Sequence, residues 1–98
     1  MFELIVSELA EEEIKASKDF YNEQKVGLGN EFLTELEKPL DRITTAPEQF
    51  PKIKIKQVRK AHLARFPFSA LFATKGLVIN ILAVFHYSRN PKKLNKRF

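Results

Sequence analysis

The apolar positions of this chain change their period near its middle. Leu4, Ile5 and Val6 stand together, and Ser7 follows with Glu8, Glu11, Glu12 and Glu13 close behind. Ser7 fits a helix N-cap, where a hydroxyl accepts from a first-turn N–H, and the carboxylates complement the positive end of the helix dipole. The pattern predicts a short strand and then a helix through Ile14, Phe20 and Tyr21 with a mixed face. Gly27 is its natural stop, because glycine takes the left-handed C′ conformation without steric cost. A second helix is predicted from about Gly29-Asn30, since Phe32, Leu33, Leu36, Leu40 and Ile43 recur at helical spacing. The link Val26-Gly27-Leu28-Gly29 is so short that the two helices should form an antiparallel hairpin. Pro39 lies inside the second pattern and costs ~3 kcal/mol relative to Ala in a helix interior, which predicts a kink or a break there. Pro47 ends the helical region.

Beyond Pro47 the period falls to two. Lys52-Ile53-Lys54-Ile55-Lys56 alternates strictly and predicts a strand with one buried and one basic, solvated face, continuing less regularly to Leu63. Phe66 to Thr74 reads as the next strand, with Phe66, Phe68, Ala70 and Phe72 on one face. Lys75-Gly76 makes a turn. Leu77 to Phe85 is apolar on both faces and reads as the central strand. The order is βααβββ, an α+β class in which an N-terminal strand and a helical hairpin pack on a mostly antiparallel sheet. The 98 residues suffice for a single domain, ending in a basic tail from about residue 89 to 98.

Charge sharpens this division. All twelve Asp and Glu residues lie between Glu3 and Glu48, against five Lys and Arg in the same stretch, whereas residues 49–98 hold twelve bases and no acid. The two parts carry −7 and +12 within the overall +5. Such asymmetry points to a face that meets an anionic partner, nucleic acid or an acidic protein, although a solvated basic surface would give the same count. The N-terminus lacks the basic flank and small-residue cleavage site of a signal peptide. The longest apolar stretch falls well below the ~20 residues that span a bilayer. A cytoplasmic protein is expected.

Most familiar chemistry is excluded. Cysteine is absent, and His62 and His86 have no ligand spacing, so no metal is expected. No glycine-rich phosphate loop and no Gly-x-Ser-x-Gly elbow occurs. Polar residues at the predicted strand ends remain: Arg59, His62, Arg65, His86, Tyr87 and Arg89. A histidine with two arginines can serve RNA cleavage, the imidazole moving a proton while guanidinium groups stabilise charge on phosphorus. The same residues can equally cap the core and pair with carboxylates. Strict alternation puts His86 on the face of Val84 and Leu82, and Tyr87 on that of Phe85 and Ala83. The Lys52, Lys54, Lys56 row is either a solvated face or a track for phosphates.

Four segments, "FYNEQKVGLGNEFLTELEKPLDRI", "PEQFP", "VRKAHLARFPFSALF" and "INILAVFHYSRNP", together resemble the RelE/ParE superfamily of toxins from bacterial type II toxin–antitoxin modules. The resemblance covers about Leu4 to Pro91. It implies a helical hairpin on an antiparallel sheet, no cofactor, a cognate antitoxin as partner, and operator DNA met only through the antitoxin complex. RelE-like members cut mRNA in the ribosomal A site, while ParE-like members poison DNA gyrase without being nucleases. His86, Ser88, Arg89 and Pro91 match a closing pattern typical of the ParE-like branch. Arg59 matches the arginine that opens the middle strand, and Arg65-Phe66-Pro67-Phe68 matches a basic-Phe-Pro-Tyr segment, with Phe68 lacking the hydroxyl. The ParE-like expectation is a surface of Arg59, Arg65, His86, Arg89, Lys92 and Lys93 that binds the target or the antitoxin. The RelE-like alternative makes His86, Tyr87 and Arg65 catalytic. A third possibility keeps the fold and partner binding without toxicity.

Overall fold

Ser7 begins the first helix as its chemistry requires: its Oγ accepts from the Ala10 N–H at 3.1 Å, and Glu8 and Glu11 occupy the first turn. In the computed structural model, which describes residues 2–55 and 57–86, β1 (Glu3–Val6) leads into α1 (Glu8–Gln24) and α2 (Leu28–Thr45). A 3-10 turn (Pro47–Gln49) then precedes β2 (Val58–His62), β3 (Phe68–Lys75) and β4 (Val78–His86). The expected βααβββ order is borne out. The sheet runs β1-β4-β3-β2, with β1 parallel to β4 and the other pairs antiparallel, so the apolar β4 is interior as its composition demanded.

Two glycines shape the hairpin. Gly27 sits at φ 89° between the helices, where a side chain would strain the backbone. Gly29 is where the helices touch: a Cβ there would lie 2.3 Å from the Lys18 carbonyl oxygen. Its N–H donates to Asn22 Oδ1 at 2.8 Å, which ties the start of α2 to the last turns of α1.

Pro39 does not divide α2, which runs as one helix from Leu28 to Thr45. Proline removes one backbone donor and costs ~3 kcal/mol. Phe32, Leu36, Pro39 itself and Ile43 are all buried on one face, and each large apolar side chain so buried contributes roughly 1.5–3 kcal/mol. Packing therefore outweighs the local penalty. The hairpin and the sheet enclose an aromatic core in which Phe32 meets Phe66 and Phe68 at centroid distances of 5.4 and 5.0 Å. Tyr21 packs edge-on to Phe66 at 4.8 Å, and burial pushes its phenol above the ordinary value.

The predicted Lys52–Lys56 strand is corrected. Among the described residues of this stretch, only Lys52 forms a ladder contact, an isolated bridge to Arg59. Residues 53–55 fold back on β2 through bonds from Ile53 N–H to the Val58 carbonyl (2.9 Å) and from Val58 N–H to the Ile55 carbonyl (3.1 Å). Gln57, at φ 55°, completes the reversal. The alternation still reports burial, since Ile53 and Ile55 pack against Val58 and Leu71 while Lys52 and Lys54 are exposed. β3 likewise starts at Phe68 rather than Phe66, because Pro67 has no N–H to donate to a ladder. Phe66 is buried ahead of it nonetheless.

The one irregularity in the sheet matters most for the surface. Leu71 pairs with Ala83 but Phe72 pairs with Ile81, so Leu82 is an extra residue in β4. Before the bulge, Ile79 and Ile81 face the helices; after it, Val84 does, and Ala83 and Phe85 join the cluster on the opposite face.

Candidate functional site

The sheet ends and the helix hairpin distribute the polar candidates over three separate places. Arg59 faces the side of the helices and is a structural tether. Its Nη1 donates to the Phe50 carbonyl at 2.5 Å and to the Glu48 carbonyl at 3.3 Å, holding the turn after α2 against β2. Arg65 is exposed at the start of α2: Nη2 pairs with Glu31 Oε1 at 3.1 Å, and the guanidinium lies 5.4 Å from the Phe66 ring centroid. A shallow polar hollow surrounds it, formed with Thr34, Glu35 and Lys38. Glu35 is buried and ion-paired with the exposed Lys38 on the next turn.

His86 lies elsewhere, at the far end of β4. Its ring stands edge-on to Phe68 with centroids 5.4 Å apart. It closes one end of a groove of 380 Å³ between α1 and the end of the sheet, whose walls include Leu9, Ala16, Phe20 and Val84. The bulge corrects the strict alternation expected earlier: His86 shares its face with Val84, while Leu82 packs on the other face. Arg65 and His86 thus line different depressions, and the predicted set does not converge among the described residues. Tyr87, Arg89, Lys92 and Lys93, together with the predicted tail, lie outside those residues.

Two arrangements escaped the sequence reading. On the sheet face away from the helices, Ser69 Oγ and His62 Nδ1 share a hydrogen bond of 2.7 Å across the β2–β3 pair. Ser69 is buried and His62 exposed. Partial burial, and then the Lys60 charge beside it, hold the imidazole below its ordinary pKa. The signal was present, as Lys60 and His62 share a parity with Val58 within the predicted strand, but its cross-strand partner Ser69 could not be read from spacing.

The second arrangement closes the edge of β4. Pairing with β1 ends at Val6 and Ile81, and among the described residues no other strand continues it on that side. α1 supplies substitutes. Ser7 N–H donates to the Ile81 carbonyl at 3.0 Å, Ser7 Oγ to the Leu82 carbonyl at 3.4 Å, and Glu13 Oε1 accepts from the Val84 N–H at 3.0 Å. A carboxylate therefore stands where a strand carbonyl would be. No helix among the described residues is long and apolar enough to cross a membrane.

No family model and no curated protein matches the sequence. Among solved structures the chain is similar to one described as "Chromosomal ParDE TA system from P. aeruginosa", at a TM-score of 0.79 and 24% identity, over 88% of this chain and 96% of that one. The chain thus has the RelE/ParE-like fold expected from its sequence.

Proposed function

We propose that the chain is the toxin of a type II toxin–antitoxin module of the ParE-like kind, acting in the cytoplasm by binding DNA gyrase and neutralised by a cognate antitoxin. The observation that carries this reading is the fold shared over 88% of the chain with a structure described as a ParDE system. The dispersal of Arg59, Arg65 and His86 supports a binding role over a catalytic one. Nucleophilic and acid–base chemistry needs its groups within hydrogen-bond reach of one reacting atom, whereas a binding surface can be spread. Arg65 is the best placed of the candidates for such a surface, being exposed and held by Glu31. Arg89, Lys92 and Lys93 extend the proposal along the basic end of the chain.

The alternative, a ribosome-dependent mRNA endoribonuclease, draws its support from the His62–Ser69 pair beside Lys60. A histidine with a depressed pKa and a fixed Nδ1 could take a proton at neutral pH. Inducible expression separates the two readings, followed by gyrase supercoiling and ribosome-bound mRNA integrity measured with purified components. The ParE-like reading expects growth arrest with lost supercoiling and intact mRNA, toxicity that survives His86→Ala, and toxicity that falls on truncation from Arg89. Codon-positioned cuts with normal supercoiling would replace it with the nuclease. Unaffected growth would leave only partner binding.

A further inference from the structure

The two edges of the sheet are finished differently. At the β2 edge the segment 51–55 folds back on the strand: Ile53 N–H donates to the Val58 carbonyl at 2.9 Å, and Lys60 N–H to the Pro51 carbonyl at 3.0 Å. Lys52 and Lys54 are exposed along it. A covering segment and exposed lysines both keep an edge from pairing with another chain. β1 forms the other edge and has neither. It reads Glu3-Leu4-Ile5-Val6, without proline, lysine or bulge. Among the described residues no strand lies beyond it.

The parallel pairing with β4 decides which groups this edge offers. Glu3 N–H donates to the Leu77 carbonyl at 2.7 Å and Ser7 N–H to the Ile81 carbonyl at 3.0 Å, so the odd-numbered residues turn their main chain to β4. Leu4 and Val6 therefore turn theirs outward. Their side chains join the helix-side core as half-buried groups, while Ile5 stands 44% exposed on the opposite face. Beside Val6 a hollow lined by Ile14 and Leu33 also holds Glu11, Lys15 and Lys18. Beside Leu4 lie Phe2, Thr44 and Thr45. The charges of the strand and its two hollows balance, Glu3 and Glu11 against Lys15 and Lys18, in a chain of net charge +5.

We infer that β1 pairs with β1 of a second copy of this chain, antiparallel and about a two-fold axis through Ile5, joining the two sheets into one. That register sets Leu4 of each copy opposite Val6 of the other. These are the residues whose N–H and carbonyl groups point outward, so each pair exchanges both bonds of an antiparallel ladder. The faces agree as well. Leu4 and Val6 extend the helix-side apolar layer, and the two exposed Ile5 side chains cover one another. Moving the axis to Leu4 would set the Glu3 carboxylate opposite the exposed Ile5, which disfavours that register. This edge has no net charge to select an acidic or a basic segment, whereas its main-chain and apolar groups match their own two-fold image. An excess of base makes like chains repel, but the row of Lys52, Lys54 and Lys60 lies along β2, at the far end of the sheet. Pairing through β1 keeps those rows apart. The contact is closed by its symmetry and ends at two copies. It does not rest on the toxin reading.

The test uses the full chain, which has no cysteine of its own. In the inferred register the two Ile5 residues face each other as a pair whose Cα atoms lie about 4.5 Å apart, within the span of a disulfide. Mild oxidation should therefore convert Ile5→Cys into a disulfide-linked dimer about tenfold faster than Val26→Cys, because pairing raises the local concentration of the first thiol alone. Val26 is the more exposed of the two positions, at 94%, and lies between the helices. The unaltered chain should sediment with a mass that rises with concentration, and its Leu4 and Val6 amides should exchange more slowly as it does. Ile5→Lys should weaken the association about tenfold and leave thermal unfolding of the dilute chain nearly unchanged. A chain that stays monomeric up to about 1 mM, equal oxidation of the two cysteine variants, or a dimer that survives Ile5→Lys would overturn the inference. So would slowed exchange away from β1, which would place the contact on another face. The cysteine comparison stands even where Ile5→Lys perturbs folding, and none of these readings depends on toxicity.

Discussion

One sheet presents two unlike faces. The face toward the hairpin buries Phe32, Phe66, Phe68, Phe72, Ile79 and Ile81 in one aromatic-rich cluster. Among the described residues the opposite face buries the apolar Val58, Leu71, Ala83 and Phe85 and the polar Ser69, covered partly by Ile53, Ile55 and Leu82, and it carries Lys60 and His62 beside them. The first face is filled by large rings whose edges and faces interlock, an arrangement that adds to plain burial. The second is assembled from smaller residues and a folded-back loop. The difference teaches that stability is concentrated where the helices lie, so that the outer face can vary its polar residues at little cost to the fold.

That contrast can be broken by deletion. Phe32→Ala removes a fully buried ring with contacts to Tyr21, Phe66 and Phe68 and should cost about 3–5 kcal/mol in denaturant unfolding. Val58→Ala on the outer face removes two buried methyl groups and should cost about 2 kcal/mol. Equal losses would mean that the two faces share the stability evenly. Glu13→Ala leaves the Val84 N–H without its acceptor and should cost roughly 1–2 kcal/mol, with faster amide exchange at Val84. Glu13→Gln, which keeps an oxygen there, should restore most of that protection.

The smallest effect expected is that of pH at the outer face. The folded chain holds His62 below its unfolded value of about 6.5. A base depressed in this way stays neutral while the unfolded chain takes up a proton. Its contribution is therefore complete above the unfolded pKa and is lost as pH falls through the folded one. His62→Gln should flatten the stability profile on the acid side of neutrality, measured as unfolding midpoints from about pH 7 down to 5. An unchanged profile would show that burial and the Lys60 charge do not perturb the ring.

The elements were legible because their signals are local. Ser7 with its following glutamates marked the start of α1, and the Phe32–Ile43 spacing marked α2. Pro39 does not break α2, because a propensity acts on one residue while burial acts on a whole face. The Lys52–Lys56 alternation was right about which side chains turn inward and wrong about the ladder. Whether a segment pairs depends on its neighbour, and Pro51 and the reversal at Gln57 leave it too little length. The site was less legible for the same reason. Glu13 and Val84 are 71 positions apart, and neither carries a pattern that announces the other. Arg59 looked like a surface group because its acceptors are main-chain carbonyls, invisible in any list of charges.

The extra residue at Leu82 makes the end of β4 a matter of phase. Leu82 and Ala83 share the outer side, so removing Leu82 would make the ladder regular and leave every later side chain on its present face. Flattening the bulge with Leu82 kept would instead turn His86 away from the α1 groove to the side of His62 and Ser69, and bring Phe85 into its place. The one extra residue is thus absorbed without exchanging what the two faces display, and a codon lost at Leu82 would leave both faces as they are.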